Sequence, residues 1–158
     1  IDRMVKFAKN EGYNPHLGIF INLRKHSGSN RLFLVDLDSQ RTLLAGLCCH
    51  GKGKSGIKES ASFSNTVGGN CSSSGFYKIG YKYNGTFGTA YKLTGLNETN
   101  SNAFERFVVL HGHDCVPASP VPVSICQSLG CPTLAPEVLK KLEPFLDKSK
   151  QPVLIWIF

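Results

Sequence analysis

Short apolar runs separated by polar and glycine-rich stretches dominate the hydrophobic pattern of this chain. Runs of this length that are rich in β-branched and aromatic residues are typical of β-strands. The pattern predicts strands at residues 17–24, 31–37, 42–50, 75–82, 89–96, 106–111 and 153–158. Residues 25–30 then form a hairpin loop, and Asn84-Gly85 is a strong turn signal between two of the strands.

Helical spacing of apolar residues occurs near the two ends of the chain. It predicts a first helix over residues 1–11, ended by Gly12. Pro136 fits the first turn of a second helix. The apolar stripe of that helix consists of Val138, Leu139, Leu142, Phe145 and Leu146. Polar segments 51–74 and 117–124 are expected to be loops, and 97–105 a turn or short helix.

Composition favours one loop-rich, β-dominated domain. The chain has 158 residues with 16 Gly and 8 Pro, and it shows no internal repeat or linker. We expect a single domain over 1–158, with an N-terminal helical segment at 1–15 and a core at 16–158. Because the chain begins at Ile1 without an initiator Met, we expect a mature or trimmed form.

The charge balance indicates an anionic partner. The formal net charge is +7, yet the Lys and Arg residues are scattered and no basic run is interleaved with aromatic residues. We therefore expect an acidic polymer rather than nucleic acid. No apolar run reaches the roughly 18 residues of a membrane span.

Six cysteines leave two interpretations open. Cys115 and Cys126 form the pair to consider first, because a disulfide between them would close the loop just before Cys131. Alternatively, several of the cysteines are buried free thiols that act as small hydrophobic residues.

The segment from His111 to Cys131 carries the candidate chemistry. A cysteine nucleophile needs a base, and imidazole is the usual one. His111 ends an apolar run, and Cys131 follows Gly130 in the sequence Ser128-Leu129-Gly130-Cys131. Glycine before the cysteine permits a sharp turn whose N–H groups can face a developing oxyanion. These residues predict acyl transfer through a thioester, with Ser128 and Gly112 as positioning residues.

His111-Gly112 followed by Ser128-x-Gly130-Cys131 resembles the L,D-transpeptidases, the YkuD-type enzymes, and more specifically their murein L,D-transpeptidase catalytic domain branch. The resemblance covers roughly residues 17–135. Further segments that resemble this branch are Cys49-His50-Gly51, Phe63-Ser64-Asn65, Ser73-Ser74-Gly75-Phe76-Tyr77, Leu93-Thr94-Gly95-Leu96, Asn102-Ala103-Phe104-Glu105-Arg106 and Gly130-Cys131-Pro132.

The resemblance implies a mainly β sandwich or barrel, with a short N-terminal helix and a C-terminal helix before the last strand. It implies that Cys131 attacks the carbonyl between the diamino acid and the D-Ala of a peptidoglycan tetrapeptide stem, while His111 accepts the thiol proton. The Gly112 carbonyl would hold the imidazole, and the amides of Gly130 and Cys131 would form the oxyanion hole.

The resemblance also implies partners and location. An amine of a second stem would resolve the thioester into a cross-link, whereas water would make the enzyme an L,D-carboxypeptidase. Carbapenem-type β-lactams would acylate Cys131, no cofactor would be needed, and the protein would be secreted to the periplasm or cell envelope. Substrate-binding residues are expected among His50, Ser73, Ser74, Tyr77, Arg106 and His113.

Two positions depart from the better-known members, which follow the cysteine with an aliphatic residue and an arginine. Here Pro132 and Thr133 stand instead, so the role of that arginine would fall to Arg106 or to a lysine.

Two alternatives come from other functional classes. Zinc takes Cys and His ligands, and the candidate set is His111, His113, Cys115, Cys126 and Cys131. A wall-binding module of the same fold without catalysis is the other, and the intact pair of Cys131 and His111 disfavours it.

Overall fold

A computed structural model describes residues 1–158. The elements in chain order are α1 (Asp2–Glu11), β1 (Leu17–Ile21), β2 (Leu32–Asp36), β3 (Arg41–Gly46), β4 (Gly75–Gly85), β5 (Gly88–Gly95), a 3₁₀ helix (Glu98–Ala103), β6 (Val109–Gly112), β7 (Thr133–Leu134), α2 (Pro136–Asp147) and β8 (Leu154–Ile157). The expected mainly β fold with a helix near each end is confirmed. No helix is long and apolar enough to span a membrane.

All eight strands belong to one sheet with the order β3-β2-β1-β8-β4-β5-β6-β7. Neighbouring strands are antiparallel except for β1 with β8 and β6 with β7, which are parallel. The two edges approach each other where Cys49, beyond the end of β3, pairs with Thr133 of β7. The Cys49 N–H donates to the Thr133 carbonyl at 2.8 Å, so the sheet curls towards a barrel at this point.

The alternation of side chains along the strands separates two apolar layers. Ile155 and Ile157 of β8 belong to the main core, together with the apolar stripe of α2. Leu154 faces the opposite side and packs with Met4 and Ala8 of α1. The α2 helix contacts both β3 and β6, so it supports the strand β6 that carries His111. Phe145, predicted in the α2 stripe, is 40% exposed and lies outside this core.

Several predicted boundaries were wrong for local reasons. β1 ends at Ile21 rather than at 24, because the Asn22 side chain accepts the Arg24 N–H and turns the chain. β6 begins at Val109 rather than at 106, because Phe107 adopts a left-handed φ of 55°. β3 ends at Gly46 rather than at 50.

Candidate active site

The turn that carries Cys131 is held by the Ser128 side chain. Ser128 Oγ donates to the Cys131 carbonyl at 2.7 Å and accepts the Gly130 N–H at 3.1 Å. Gly130 has φ +124°, and an added Cβ would lie 2.8 Å from the Cys71 carbonyl oxygen. Both the backbone conformation and the close approach therefore require glycine at this position.

This arrangement changes the predicted oxyanion hole. The Gly130 N–H is directed at Ser128 Oγ, whereas the Cys131 N–H has no hydrogen-bond partner within the protein. Of the two predicted donors, only the Cys131 amide is therefore available to another acceptor. Gly130 contributes a second donor only when its N–H leaves Ser128.

His111 is a buried side chain at the end of β6, with 8% of its surface exposed. Its Nδ1 lies 3.0 Å from the Gly112 carbonyl oxygen, which accepts an Nδ1–H. This contact fixes the neutral ring in the tautomer whose Nε2 is an acceptor.

The acceptor nitrogen of His111 is paired with Thr133 rather than with Cys131. Thr133 Oγ1 lies 3.1 Å from His111 Nε2 and 3.3 Å from the Cys131 carbonyl oxygen. No hydrogen bond joins the imidazole to the thiol, and Cys131 Sγ instead accepts the Val109 N–H at 3.4 Å. Thr133 stands at the position where the better-known members that this sequence resembles carry arginine. The residue that replaces this arginine therefore contacts the candidate base His111.

Burial sets the protonation state of both groups. It raises the pKa of the Cys131 thiol, against the smaller lowering effects of the Val109 N–H, Lys92 and Arg106. Burial also lowers the pKa of His111, against the hydrogen bond to the Gly112 carbonyl. The resting pair is therefore a neutral thiol and a neutral imidazole at neutral pH.

Two cations flank the thiol. Lys92 of β5 is only 5% exposed, and its Nζ donates to the Phe104 carbonyl at 2.9 Å. The same Nζ lies 4.5 Å and 4.7 Å from the ring centres of Phe104 and Phe107. Burial lowers the pKa of Lys92, while a Cys131 thiolate would raise it.

Arg106 is the second cation, and its fork is anchored to the loop before β4. It donates to the Ser64 carbonyl at 3.1 Å, to Ser73 Oγ at 3.2 Å and to the Cys71 carbonyl. An added Cβ on Gly130 would lie 3.1 Å from the guanidinium, which places Arg106 behind the nucleophile turn.

Cys131 and His111 line two cavities. The larger has a volume of about 340 Å³, and its lining includes His113, Gln127, Ser128 and Thr133. The smaller has about 190 Å³ and is bounded by the β4–β5 hairpin and Val109. Phe87, at the hairpin tip, lines both cavities and stacks on His111 with ring centres 5.4 Å apart.

The family model described as YkuD_2, L,D-transpeptidase catalytic domain, matches residues 2–156. The chain belongs to this family. No curated protein sequence matches this L,D-transpeptidase domain.

Two solved structures share the fold of this L,D-transpeptidase domain. One is the Ldtfm–avibactam carbamoyl enzyme, with a TM-score of 0.56, 13% identity, and coverage of 90% of this chain and 49% of that chain. The other is a mutant of the helical cell shape determining protein Pgp2 from Campylobacter jejuni, with a TM-score of 0.53, 14% identity, and coverage of 99% and 53%. The chain therefore spans about half the length of each of these structures.

Several residues predicted to bind substrate lie outside the two cavities that Cys131 and His111 line. Ser73 and Tyr77 are buried, with their hydroxyl oxygens 2.6 Å apart, and they support Arg106 from behind. The Ser74 carbonyl accepts the Thr99 hydroxyl at 2.7 Å, and Ser74 lines neither cavity. Of the predicted substrate-binding residues, only His113 lines one of the two cavities that Cys131 and His111 share.

His50, predicted to bind substrate, is buried and lines neither of these two cavities. Its Nδ1 lies 3.1 Å from an Arg31 guanidinium nitrogen, and its Nε2 lies 2.9 Å from the Ile57 carbonyl oxygen. Its own carbonyl accepts the Ser128 N–H at 2.9 Å. His50 therefore supports the nucleophile turn through its backbone carbonyl, a role that the sequence Cys49-His50-Gly51 did not indicate.

The cysteines divide between the two interpretations. Cys115 and Cys126 form a disulfide, and Cys48, Cys49, Cys71 and Cys131 are free. The candidate zinc set is not assembled as predicted: the sulfur atoms that converge, within 4.8 Å of one another, are those of Cys49, Cys115 and Cys126. The disulfide consumes two of these three sulfurs.

Proposed function

We propose that this domain is a cysteine-dependent peptidoglycan L,D-transpeptidase with Cys131 as nucleophile and His111 as base. The observation that carries the proposal is the placement of these two residues at the boundary of two cavities. Membership of the L,D-transpeptidase catalytic domain family supports the reaction class.

The first half-reaction forms a thioester. Cys131 Sγ attacks the carbonyl carbon of the diamino acid in a tetrapeptide stem, and the thiol proton passes to His111 Nε2. For this transfer the Thr133 hydroxyl turns its proton from Nε2 to the Cys131 carbonyl, 3.3 Å away. When the C–N bond breaks, the imidazolium returns the proton to the amine of the departing D-Ala.

The Gly112 carbonyl has an electrostatic task in this step. An imidazolium in a buried position is costly, because burial favours the neutral ring. The carbonyl that accepts the Nδ1–H at 3.0 Å offsets part of this cost and keeps the ring oriented. It therefore takes the place that a carboxylate has in a Ser-His-Asp triad.

Negative charge develops on the substrate carbonyl oxygen and on the Cys131 sulfur during attack, and nearby groups can stabilise both. The Cys131 N–H, which has no hydrogen-bond partner in the protein, is available to the oxyanion. Lys92 and Arg106 lower the pKa of the thiol, which favours the anionic character of sulfur as its proton leaves. These cations fill the electrostatic role of the arginine that Thr133 replaces.

The two cavities favour acyl transfer between two substrates. A donor stem in one cavity leaves the other as a path by which a second amine reaches the thioester. That amine attacks the thioester carbonyl, gives a proton to His111, and expels the Cys131 thiolate, which is then reprotonated. If water uses the second path instead, the same site is an L,D-carboxypeptidase.

Location and inhibition follow from the substrate. A domain that acts on peptidoglycan works in the periplasm or cell envelope, and its net charge of +7 suits an anionic wall polymer. The fold is shared with a protein described as an avibactam carbamoyl enzyme. We expect carbapenem-type β-lactams to acylate Cys131 by the same attack on a carbonyl.

The test is incubation with a disaccharide-tetrapeptide and product analysis by mass spectrometry. We expect a dimer lighter by one D-Ala with the wild type, and none with Cys131→Ala. Cys48→Ala is the matched control, because Cys48 is a buried thiol outside both cavities. If the only product is a tripeptide monomer, the domain is an L,D-carboxypeptidase and not a transpeptidase. An unchanged substrate would refute the tetrapeptide stem as the acyl donor.

A further inference from the structure

A second cysteine thiol lies beside the candidate site in contact with a disulfide. Cys49 is 1% exposed, lines the larger cavity, and is fixed in place by its backbone pairing with Thr133. Its Sγ lies 3.3 Å from Cys126 Sγ and donates to the Cys126 carbonyl at 2.8 Å.

Cys126 is at the same time bonded to Cys115. The three sulfur atoms lie within 4.8 Å of one another, so either Cys49 or Cys115 can reach Cys126 without a large backbone movement. Cys115 is the exposed member of the group, and Cys49 is the buried one. The contact between the Cys49 and Cys126 sulfurs meets the distance requirement of thiol–disulfide exchange. Rotation of the side chains must bring the Cys49 sulfur into line with the Cys126–Cys115 bond before it attacks.

We propose that Cys49 is the nucleophile of an internal thiol–disulfide exchange site, in which Cys126 alternates between Cys115 and Cys49. Cys49 loses its proton, and its Sγ forms a bond to Cys126 Sγ. The bond between Cys126 and Cys115 breaks, and Cys115 leaves as a thiolate that takes up a proton. One disulfide and one thiol are present before and after, so the step needs no oxidant or reductant.

The two disulfide isomers constrain different parts of the cavity wall. The bond between Cys115 and Cys126 closes the proline-rich loop 116–125. The bond between Cys49 and Cys126 instead ties the residue that pairs with Thr133 to the segment entering the nucleophile turn. It also releases the Cys115 thiol into the cavity that Cys131 lines, where a small disulfide or an alkylating reagent can reach it.

The surroundings of Cys49 restrain the exchange near neutral pH. Burial and the neighbouring Cys48 thiol raise the pKa of Cys49 to about 12, against the lowering effect of Arg31. The histidines that line the same cavity are His111 and His113. Because only the thiolate attacks, the exchange rate should rise about tenfold per pH unit below that pKa.

The decisive variant is Cys115→Ala. Oxidised with glutathione disulfide at pH 8, alkylated in acid and digested without reduction, it should yield a Cys49–Cys126 cross-linked peptide as the main product. Cys71→Ala, a matched control at a cysteine outside the group, should keep the Cys115–Cys126 peptide. Cys49 and Cys126 recovered only as separate thiols or glutathione adducts, in a variant with wild-type circular dichroism, would overturn the proposal.

The wild type decides the question if that variant does not fold. After incubation at pH 9 and an acid quench, we expect alkylated Cys115 and the Cys49–Cys126 peptide to appear together, in amounts independent of protein concentration. Cys49→Ser should give neither product. Wild-type protein in which Cys49 is always the alkylated member, at every pH between 6 and 10, would equally overturn the proposal.

Discussion

Thr133→Val removes the hydroxyl that pairs with the base while keeping the shape of the side chain. Thr133 Oγ1 is the hydrogen-bond partner of His111 Nε2 at 3.1 Å. The variant leaves that nitrogen unpaired in a side chain with 8% exposure. We expect the ring to lose orientation and the protein to lose stability.

The size of the effect follows from the contacts that remain. An unpaired buried acceptor costs about 1–3 kcal/mol. The Cys131 carbonyl keeps its bond from Ser128 Oγ at 2.7 Å, so only the Nε2 contact is lost in full. We therefore expect a decrease of about 1–2 kcal/mol in the free energy of unfolding, which corresponds to roughly 2–8 °C in Tm for a domain of this size. Once its proton has turned to the Cys131 carbonyl, Thr133 Oγ1 accepts the Nε2–H of the imidazolium that forms during attack. If about 1–1.4 kcal/mol comes from this contact in the transition state, its loss slows acylation about five- to tenfold.

The assay is the rate of carbapenem acylation followed by intact mass, together with thermal unfolding. Thr133→Ser restores a hydroxyl and should recover most of the rate, which a purely structural role of the methyl group would not allow. Wild-type acylation and Tm in Thr133→Val would refute the reasoning. So would a serine variant as impaired as the valine variant.

Three further predictions concern charge, backbone and pH. Lys92→Met should raise the pKa of Cys131 further, because a buried cation near the thiol is lost, and should slow iodoacetamide labelling at pH 7.5 about two- to fivefold. Unchanged labelling would contradict this prediction. Gly130→Ala should reduce the rate of acylation about tenfold or more, because alanine is strained at φ +124° and its Cβ would lie 2.8 Å from the Cys71 carbonyl oxygen. A fully active alanine variant would disprove the role of the turn. Burial lowers the pKa of His50 in the folded state, so the unfolded state binds more protons below its own pKa of about 6.5. The contribution of His50 to the free energy of unfolding is therefore complete above that pKa and is lost as the pH falls below it. We expect His50→Gln to flatten the decline of Tm between pH 7.5 and 5.5. A decline as steep as that of the wild type would exclude His50 as a cause of the pH dependence.

The hydrophobic pattern contained enough information for the fold class and not for the closure of the sheet. Every predicted apolar run holds a strand, because burial of alternate side chains leaves a pattern in the sequence. β7 has only two residues, Thr133 and Leu134, and two residues show no period. The pairing of Cys49 with Thr133 joins positions far apart in sequence, so no local pattern indicates it.

The candidate site likewise contains features that the local sequence predicts and features that depend on contacts between distant residues. Local sequence sufficed for Gly130, whose backbone conformation requires glycine, and the structure brings Cys131 and His111 to the same cavities. The partner of His111 was not predicted, because Thr133 reaches it through the parallel pairing of β6 with β7. Lys92 resembles an ordinary strand residue until the packing of β5 against the segment before β6 buries it.

Our central claim is that Cys131 carries the acyl group of a peptidoglycan stem. The most direct measurement is intact mass spectrometry of the domain, rapidly quenched in acid after mixing with a tetrapeptide stem, followed by peptide mapping. The account predicts a mass gain equal to the mass of the tetrapeptide stem minus that of one D-Ala, which is the tripeptide minus one water. The adduct should lie on Cys131 as a hydroxylamine-sensitive thioester and should be absent from Cys131→Ala. An adduct on another residue, or D-Ala release by Cys131→Ala at the wild-type rate, would contradict the account.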